Sequence, residues 1–155
     1  MSEPRFDWRD DRGQVAGIEA LPFGILLFVV GALLVANAWA VLDAKMATDS
    51  AAREAARTYV EGVDHDAGLA GATAAARSAI EGQGRNPDRL ELRGPTSSAE
   101  FVRCNRITFR ATYVVPAIPL PFIGGFGNGI SVTSSHTELV DPFRDGVGGE
   151  AVCDG

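Results

Sequence analysis

Few side chains in this 155-residue chain stand where their types and spacing allow chemistry. Cys104 and Cys153 are its two cysteines. An even count in an exported domain permits one disulfide, which would tie the polar tail beyond Asp141 to the start of the strand that follows Cys104. The loop so closed has roughly 50 residues, for which the chain-entropy model gives about 4 kcal/mol of stabilisation before strain. Two free thiols in a reducing compartment, or a bond between subunits, are the alternatives. Asp64, His65 and Asp66 form an acid-histidine-acid cluster. A metal needs further ligands at recognisable spacing, and the sequence supplies none, so the cluster reads as a solvated turn. Glu19 is an acid at the edge of a long apolar stretch. Burying a carboxylate costs several kcal/mol unless it is paired or near water. Glu19 therefore either rests at headgroup depth or neutralises a group on a partner helix, such as a free N-terminal amine. The sequence holds no nucleophile–base pattern, no paired carboxylates in a defined frame and no phosphate-cradling loop. It predicts no enzyme, no cofactor and no metal site.

The stretch that positions Glu19 is residues 20–42, which carry no charge and whose only strongly polar side chain is Asn37. Roughly 20 apolar residues cross a bilayer core, and backbone in lipid must satisfy its own hydrogen bonds, so the stretch predicts a transmembrane helix. A buried core helix is disfavoured because the remaining sequence has too few apolar runs to wrap it. A cleaved secretory signal is disfavoured because the apolar run is too long; Ala36-Asn37-Ala38 and Ala38-Trp39-Ala40 are only loose matches to a cleavage site. Pro22 is tolerated near a helix start and kinks a helix deeper in. Gly24 and Gly31 permit close helix packing without forming a G-x-x-x-G pair. Residues 1–14 read as a disordered cytoplasmic tail in which Trp8 has the chemistry of an interfacial residue. Arg5, Arg9 and Arg12 before the helix are balanced by Lys45, Arg53 and Arg57 after it, so charge alone does not orient the span;. The cysteines and the larger C-terminal part favour tail inside and domain outside. A net charge of −6 excludes a basic nucleic-acid footprint;.

Beyond the span the helix is expected to continue to Glu61, making residues 15–61 one element of about 70 Å. Ala44, Ala47, Ala51, Ala52, Ala55, Ala56 and Tyr59 recur at helical spacing and form one small-residue face, open either to a neighbouring subunit or to the chain's own sheet;. Arg57 and Glu61 are spaced to pair on the surface. Gly62 is expected to cap this helix and Asp66 to open a second over residues 67–81, closed by Gly82 and Gly84. With only Leu69 and Ile80 as large apolar residues, that helix should be weakly held. A turn at Asn86-Pro87 precedes a short strand over residues 89–93. Strict alternation predicts a strand over Arg106–Val115, and another returns over Ile130–Leu139 with His136 exposed;. Between them, residues 117–129 are apolar but rich in proline and glycine, which makes them a connection whose Leu120, Phe122, Ile123 and Phe126 either pack beneath the sheet or touch lipid or a partner. The fold class is α+β: a long N-terminal transmembrane helix, a second short helix and a small antiparallel sheet of about three strands, with residues 62–155 as the exported domain.

The run RGQVAGIEALPF from Arg12, the long apolar helix after it and the alanine-rich DSAAREAARTYVEG from Asp49 resemble the TadE-like minor pseudopilins of tight-adherence, Flp-type pilus systems. That resemblance implies export, processing by a prepilin peptidase after the glycine, between Gly13 and Gln14, and a structural role in pilus assembly or secretion; the helix-partner contact at Glu19 is the reading of its own chemistry. Its partners would be membrane lipid and other pilin-like or pilus-assembly subunits. Glu19 is sixth after Gly13 and second after Gly17, whereas class III pilins usually place their glutamate fifth after the cleaved glycine. An uncleaved bitopic accessory protein that stabilises a secretion complex is the alternative; a membrane-tethered enzyme has no motif behind it.

Overall fold

A single helix, α1 (Val15–Glu61), runs for 47 residues and divides into two halves of different composition and different surroundings. The structure, a computed structural model, describes residues 15–119 and 129–153, with side chains from residue 20 onward. In the first half the apolar side chains point outward: Leu21, Phe23, Phe28, Val35 and Trp39 are all exposed. Only 6% of the stretch best suited to cross a membrane is buried by the rest of the chain, so this is not the core helix of the chain's own domain. It is one helix near the N-terminus, long and apolar enough to span a membrane;. Helix continues through Pro22.

The second half of α1 buries the small-residue face. Ala44, Ala47, Ala51, Ala52, Ala55, Ala56 and Tyr59 have no exposed surface. What covers them is the chain itself: α2 (His65–Gly82) on one side and the sheet on the other. Thr48 lies among these alanines and turns its hydroxyl back to Ala44 O at 2.6 Å, so no polar atom is left bare there;.

The second helix departs from expectation in its start and in its grip. Asp64, not Asp66, is the cap: its backbone is extended and its Oδ1 accepts from Ala67 N at 2.8 Å;. Asp66 falls inside the first turn, where a negative charge meets the positive helix end;. At the other end Gly84, at φ +70, lets Arg85 N reach back to Ile80 O (3.2 Å) and Gly84 N to Glu81 O (2.8 Å), closing the last turn;. The helix is not loosely held. Gly68, Ala72, Ala76 and Ile80 form a buried row that lets α2 lie close along α1. A Cβ on Gly68 would meet Tyr59 O at 2.8 Å, and one on Gly62 would meet Gly68 Cα at 2.4 Å. Gly62 does not adopt the left-handed conformation of a glycine cap; it is small because α2 starts against it.

β1 (Leu90–Arg93), β2 (Arg106–Val115) and β3 (Ile130–Leu139) form an antiparallel sheet in the order β1-β2-β3. β1 begins one residue later than the sequence predicts, because Asn86 caps a single 3-10 turn, Pro87–Arg89, by accepting from Asp88 N at 2.9 Å. Ile107, Phe109, Ala111, Tyr113 and Val115 on β2, with Val132 and Ser134 on β3, face the helices. The outer face is held in register by threonines: Thr108 bonds Thr137 at 2.8 Å and Thr112 bonds Thr133 at 3.1 Å. His136 is not fully exposed as expected. The strand period puts it on the same side as Val132 and Ser134, where it is half-buried and bonded through Nε2 to Glu138 at 2.9 Å;.

The tail after β3 folds back on the turn before β2. Val140 and Val147 are buried. Cys104 N donates to Val140 O at 3.0 Å, and Arg103 N donates to Gly148 O at 2.8 Å. Packing therefore helps to hold a segment whose composition alone argued otherwise.

Candidate functional site

The region where the apolar helix enters the domain carries a cluster of polar contacts made by Asn37, Asp43 and Lys45. Asn37, buried, donates through Nδ2 to Leu33 O at 2.9 Å and to Ile118 O at 3.3 Å, and its Oδ1 accepts from Ile118 N at 2.9 Å. Two helical turns on, Asp43 takes Arg85 Nη2 at 2.5 Å, and the same nitrogen reaches Ala40 O at 3.1 Å. The Arg85 guanidinium also lies over the Tyr113 ring, 5.5 Å from its centroid;. Arg85 Nε is buried without an acceptor among the described residues. Lys45, the only lysine of the chain, reaches across to β3 and donates to Thr133 O at 2.5 Å and to Ser134 Oγ at 2.8 Å. A lysine laid over an edge strand discourages a second chain from pairing there. These groups lock α1 to the sheet just where the uncharged stretch ends.

On the exposed half of α1, Phe28, Gly31, Ala32, Val35, Ala36 and Trp39 line an open, almost wholly apolar groove. Such a surface offers shape and dispersion rather than hydrogen bonds.

At the opposite end of α1, Tyr59 joins three elements. Its hydroxyl is 2.8 Å from His65 Nδ1, and its ring meets Phe101 edge-on at 5.3 Å and Phe109 tilted at 5.4 Å. Burial, and next the Glu100 carboxylate, push the Tyr59 phenol above its ordinary value;. His65 is thus occupied by Tyr59 and does not stand in a solvated turn. Among the described residues, no three His, Cys, Asp or Glu side chains converge as metal ligands do. Arg144 comes from the tail to the last carbonyls of α1, donating to Glu61 O at 2.9 Å and to Gly62 O, while its guanidinium lies over Phe101. A cation on orphan carbonyls at a helix C-terminus is favourable on both hydrogen-bond and dipole grounds.

Of the residues singled out in the sequence, Cys104 and Cys153 are brought together: they form a disulfide with Cα atoms 5.2 Å apart, across a separation of 49 residues. Cys104 sits at φ +64, in the left-handed region, which the flanking backbone bonds to the tail hold in place;. Gly13 and Gln14 lie outside the described residues, as does the side chain of Glu19. So do Leu120, Phe122, Ile123 and Phe126. Arg85 and Arg144 escaped the sequence reading altogether: an arginine in a polar loop carries no local mark of the helix carbonyl or carboxylate it will meet. The spaced pair Arg57 and Glu61 does form, at 3.2 Å, and is exposed and of small value;. No model of a protein family, no characterised protein and no solved structure matches this chain.

Proposed function

We propose that this chain is a membrane-anchored, pilin-like structural subunit acting in pilus assembly or secretion, with its tail in the cytoplasm and its domain on the extracytoplasmic side. The observation that supports this reading is the division of labour within α1. Its second half is consumed by the chain's own core, so the exposed, apolar first half is the surface left for association within a membrane. The groove between Phe28 and Trp39 is of the kind that receives another helix;. The disulfide fits a domain that matures in an oxidising compartment;. In this reading the protein catalyses nothing. It contributes a helix to a packed array in the bilayer and a small rigid domain above it, and its partners are lipid and other pilin-like or pilus-assembly subunits.

The test is the mass of the mature N-terminus, taken together with a cytoplasm-active reporter fused after Gly155. A chain beginning at Gln14 and a silent reporter are expected. An intact N-terminus with a silent reporter would turn the reading into that of an uncleaved accessory protein, and an active reporter would overturn the topology. Within the same reading, Glu19→Ala leaves membrane insertion intact, because it removes a carboxylate that is costly to desolvate. It impairs co-purification with partner subunits. Unchanged recovery would reduce Glu19 to a residue at headgroup depth.

A further inference from the structure

The geometry points to a second membrane contact in this protein: residues 117–119, at the end of β2, reach the boundary of the hydrocarbon layer beside α1, and Asn37 is the residue that makes this possible. The inference rests on α1 being a membrane span, and it adds a contact that the span alone does not require.

Depth comes first. The uncharged stretch of α1 ends at Asp43, whose carboxylate pairs with Arg85. Asn37 is six residues earlier, about 9 Å deeper along the helix at 1.5 Å per residue. Headgroup layers are about 5–7 Å thick on each side of the hydrocarbon. With Asp43 and Arg85 among headgroups, Asn37 and the Ile118 backbone bonded to it fall at the hydrocarbon boundary.

Hydrogen bonding is the second, independent observation. A single side chain satisfies both polar groups of the Ile118 backbone, accepting from its N–H at 2.9 Å and donating to its C=O at 3.3 Å. A loop in water needs no such partner, because water serves. Irregular backbone at membrane depth does need one, since each unsatisfied group there costs several kcal/mol. Pro116 and Pro119, on either side, bring no N–H that would need an acceptor;. The Asn37 amide is satisfied in turn, its second donor going to Leu33 O. Both polar groups of the Ile118 backbone are thus paired, and the two prolines bring no N–H of their own.

Side-chain character agrees. Ile118 is 44% exposed and belongs to the same end of the domain as Trp39, which is 70% exposed on α1. Between Arg110 and His136 the sequence has no charged residue. An isoleucine presented beside a membrane helix, with its own N–H and C=O both bonded to Asn37, is suited to the acyl-chain boundary of the outer leaflet.

Single-tryptophan forms of the full chain in phosphatidylcholine vesicles with brominated acyl chains test this. One form keeps Trp39 and carries Trp8→Phe; the other carries Trp8→Phe, Trp39→Phe and Ile118→Trp. Both tryptophans are expected to be quenched by the brominated lipid, to emit at blue-shifted wavelength and to resist aqueous acrylamide. Acrylamide quenching at position 118 without lipid quenching, while Trp39 is quenched by lipid, would overturn the second contact and leave the span standing. Loss of lipid quenching at both positions would remove the span and the inference with it. Adding Asn37→Leu should open position 118 to acrylamide while Trp39 stays lipid-quenched. No change at 118 would show that Asn37 does not hold the segment.

Discussion

Tyr59 stands where α1, α2 and the sheet meet, with its hydroxyl on His65 Nδ1 and its ring against Phe101 and Phe109. Tyr59→Phe keeps the ring and removes the hydroxyl, leaving the His65 nitrogen without its partner, and should cost about 1 kcal/mol. It should also change the response to alkali. Burial holds the phenol neutral to a higher pH than in the unfolded chain, so the folded pKa lies above the unfolded one;. The stabilisation is then fully present below the ordinary tyrosine value of about 10, and is lost as pH rises through the folded value. Denaturant midpoints of the detergent-solubilised protein should fall from about pH 9.5 upward, and fall less in Tyr59→Phe. Equal slopes would mean that this phenol is not the group responsible. The sequence showed Tyr59 as the last member of an alanine row and so as buried. It did not show the bond to His65, because an acid-histidine-acid cluster looks hydrated until the fold brings a buried hydroxyl to it. Asn37 was legible in the same partial way: conspicuous as the polar residue of an apolar stretch, but with a partner 81 positions away.

The packing of α1 on α2 is a contact between small residues, and its strength lies in closeness rather than in area. Gly62, just past the end of α1, and Gly68 on α2 mark a close approach of backbone to backbone. A Cβ on Gly62 would stand 2.4 Å from Gly68 Cα and 2.7 Å from Gly68 N, and backbone does not move aside as a flexible side chain does. Gly62→Ala should therefore cost about 2–3 kcal/mol, in the range of overpacked cores. Gly82→Ala is the control: a Cβ there meets nothing within 4 Å, and the residue is helical, so the change should be neutral or slightly stabilising;. Thermal unfolding followed by helicity distinguishes them, and equal midpoints for the two variants would sink the close-approach account. Element boundaries were legible where a local period was strong. The alternation of β2 and β3 places both strands at the ends the structure gives them. Periodicity marks a face without saying what covers it, which is why the alanine row of α1 fitted a neighbouring subunit as well as the chain's own sheet. Counting large apolar side chains undervalued α2 for a related reason, since Gly68, Ala72 and Ala76 hold by being small.

Across the whole molecule, the disulfide and Arg144 link the tail to the far end of α1. Cys153 is joined to Cys104, and between Val140 and that bond the tail makes backbone hydrogen bonds on both sides of Cys104. Arg103 Nε donates to Arg144 O at 2.8 Å, and Arg144 in turn donates to the carbonyls that close α1. A chain of contacts thus runs from the disulfide through Arg103 and Arg144 to Glu61 and Gly62, beside Tyr59. Cys104→Ser with Cys153→Ser should lower domain stability by about 2–4 kcal/mol, because a loop closed across 49 residues no longer restricts the unfolded chain;. If that were all, native-state exchange would change only through global unfolding. The contacts argue for more. With the tail loosened, Arg144 leaves the end of α1, the Glu61 and Gly62 carbonyls lose their cationic partner, and the last turn frays;. Amide exchange should therefore quicken locally over the last turn of α1 and the first turn of α2, under conditions where the sheet stays protected. Arg144→Gln should reproduce that local change with the disulfide intact. Exchange confined to the tail in both variants would show that Arg144 does not carry the disulfide's effect to the helix.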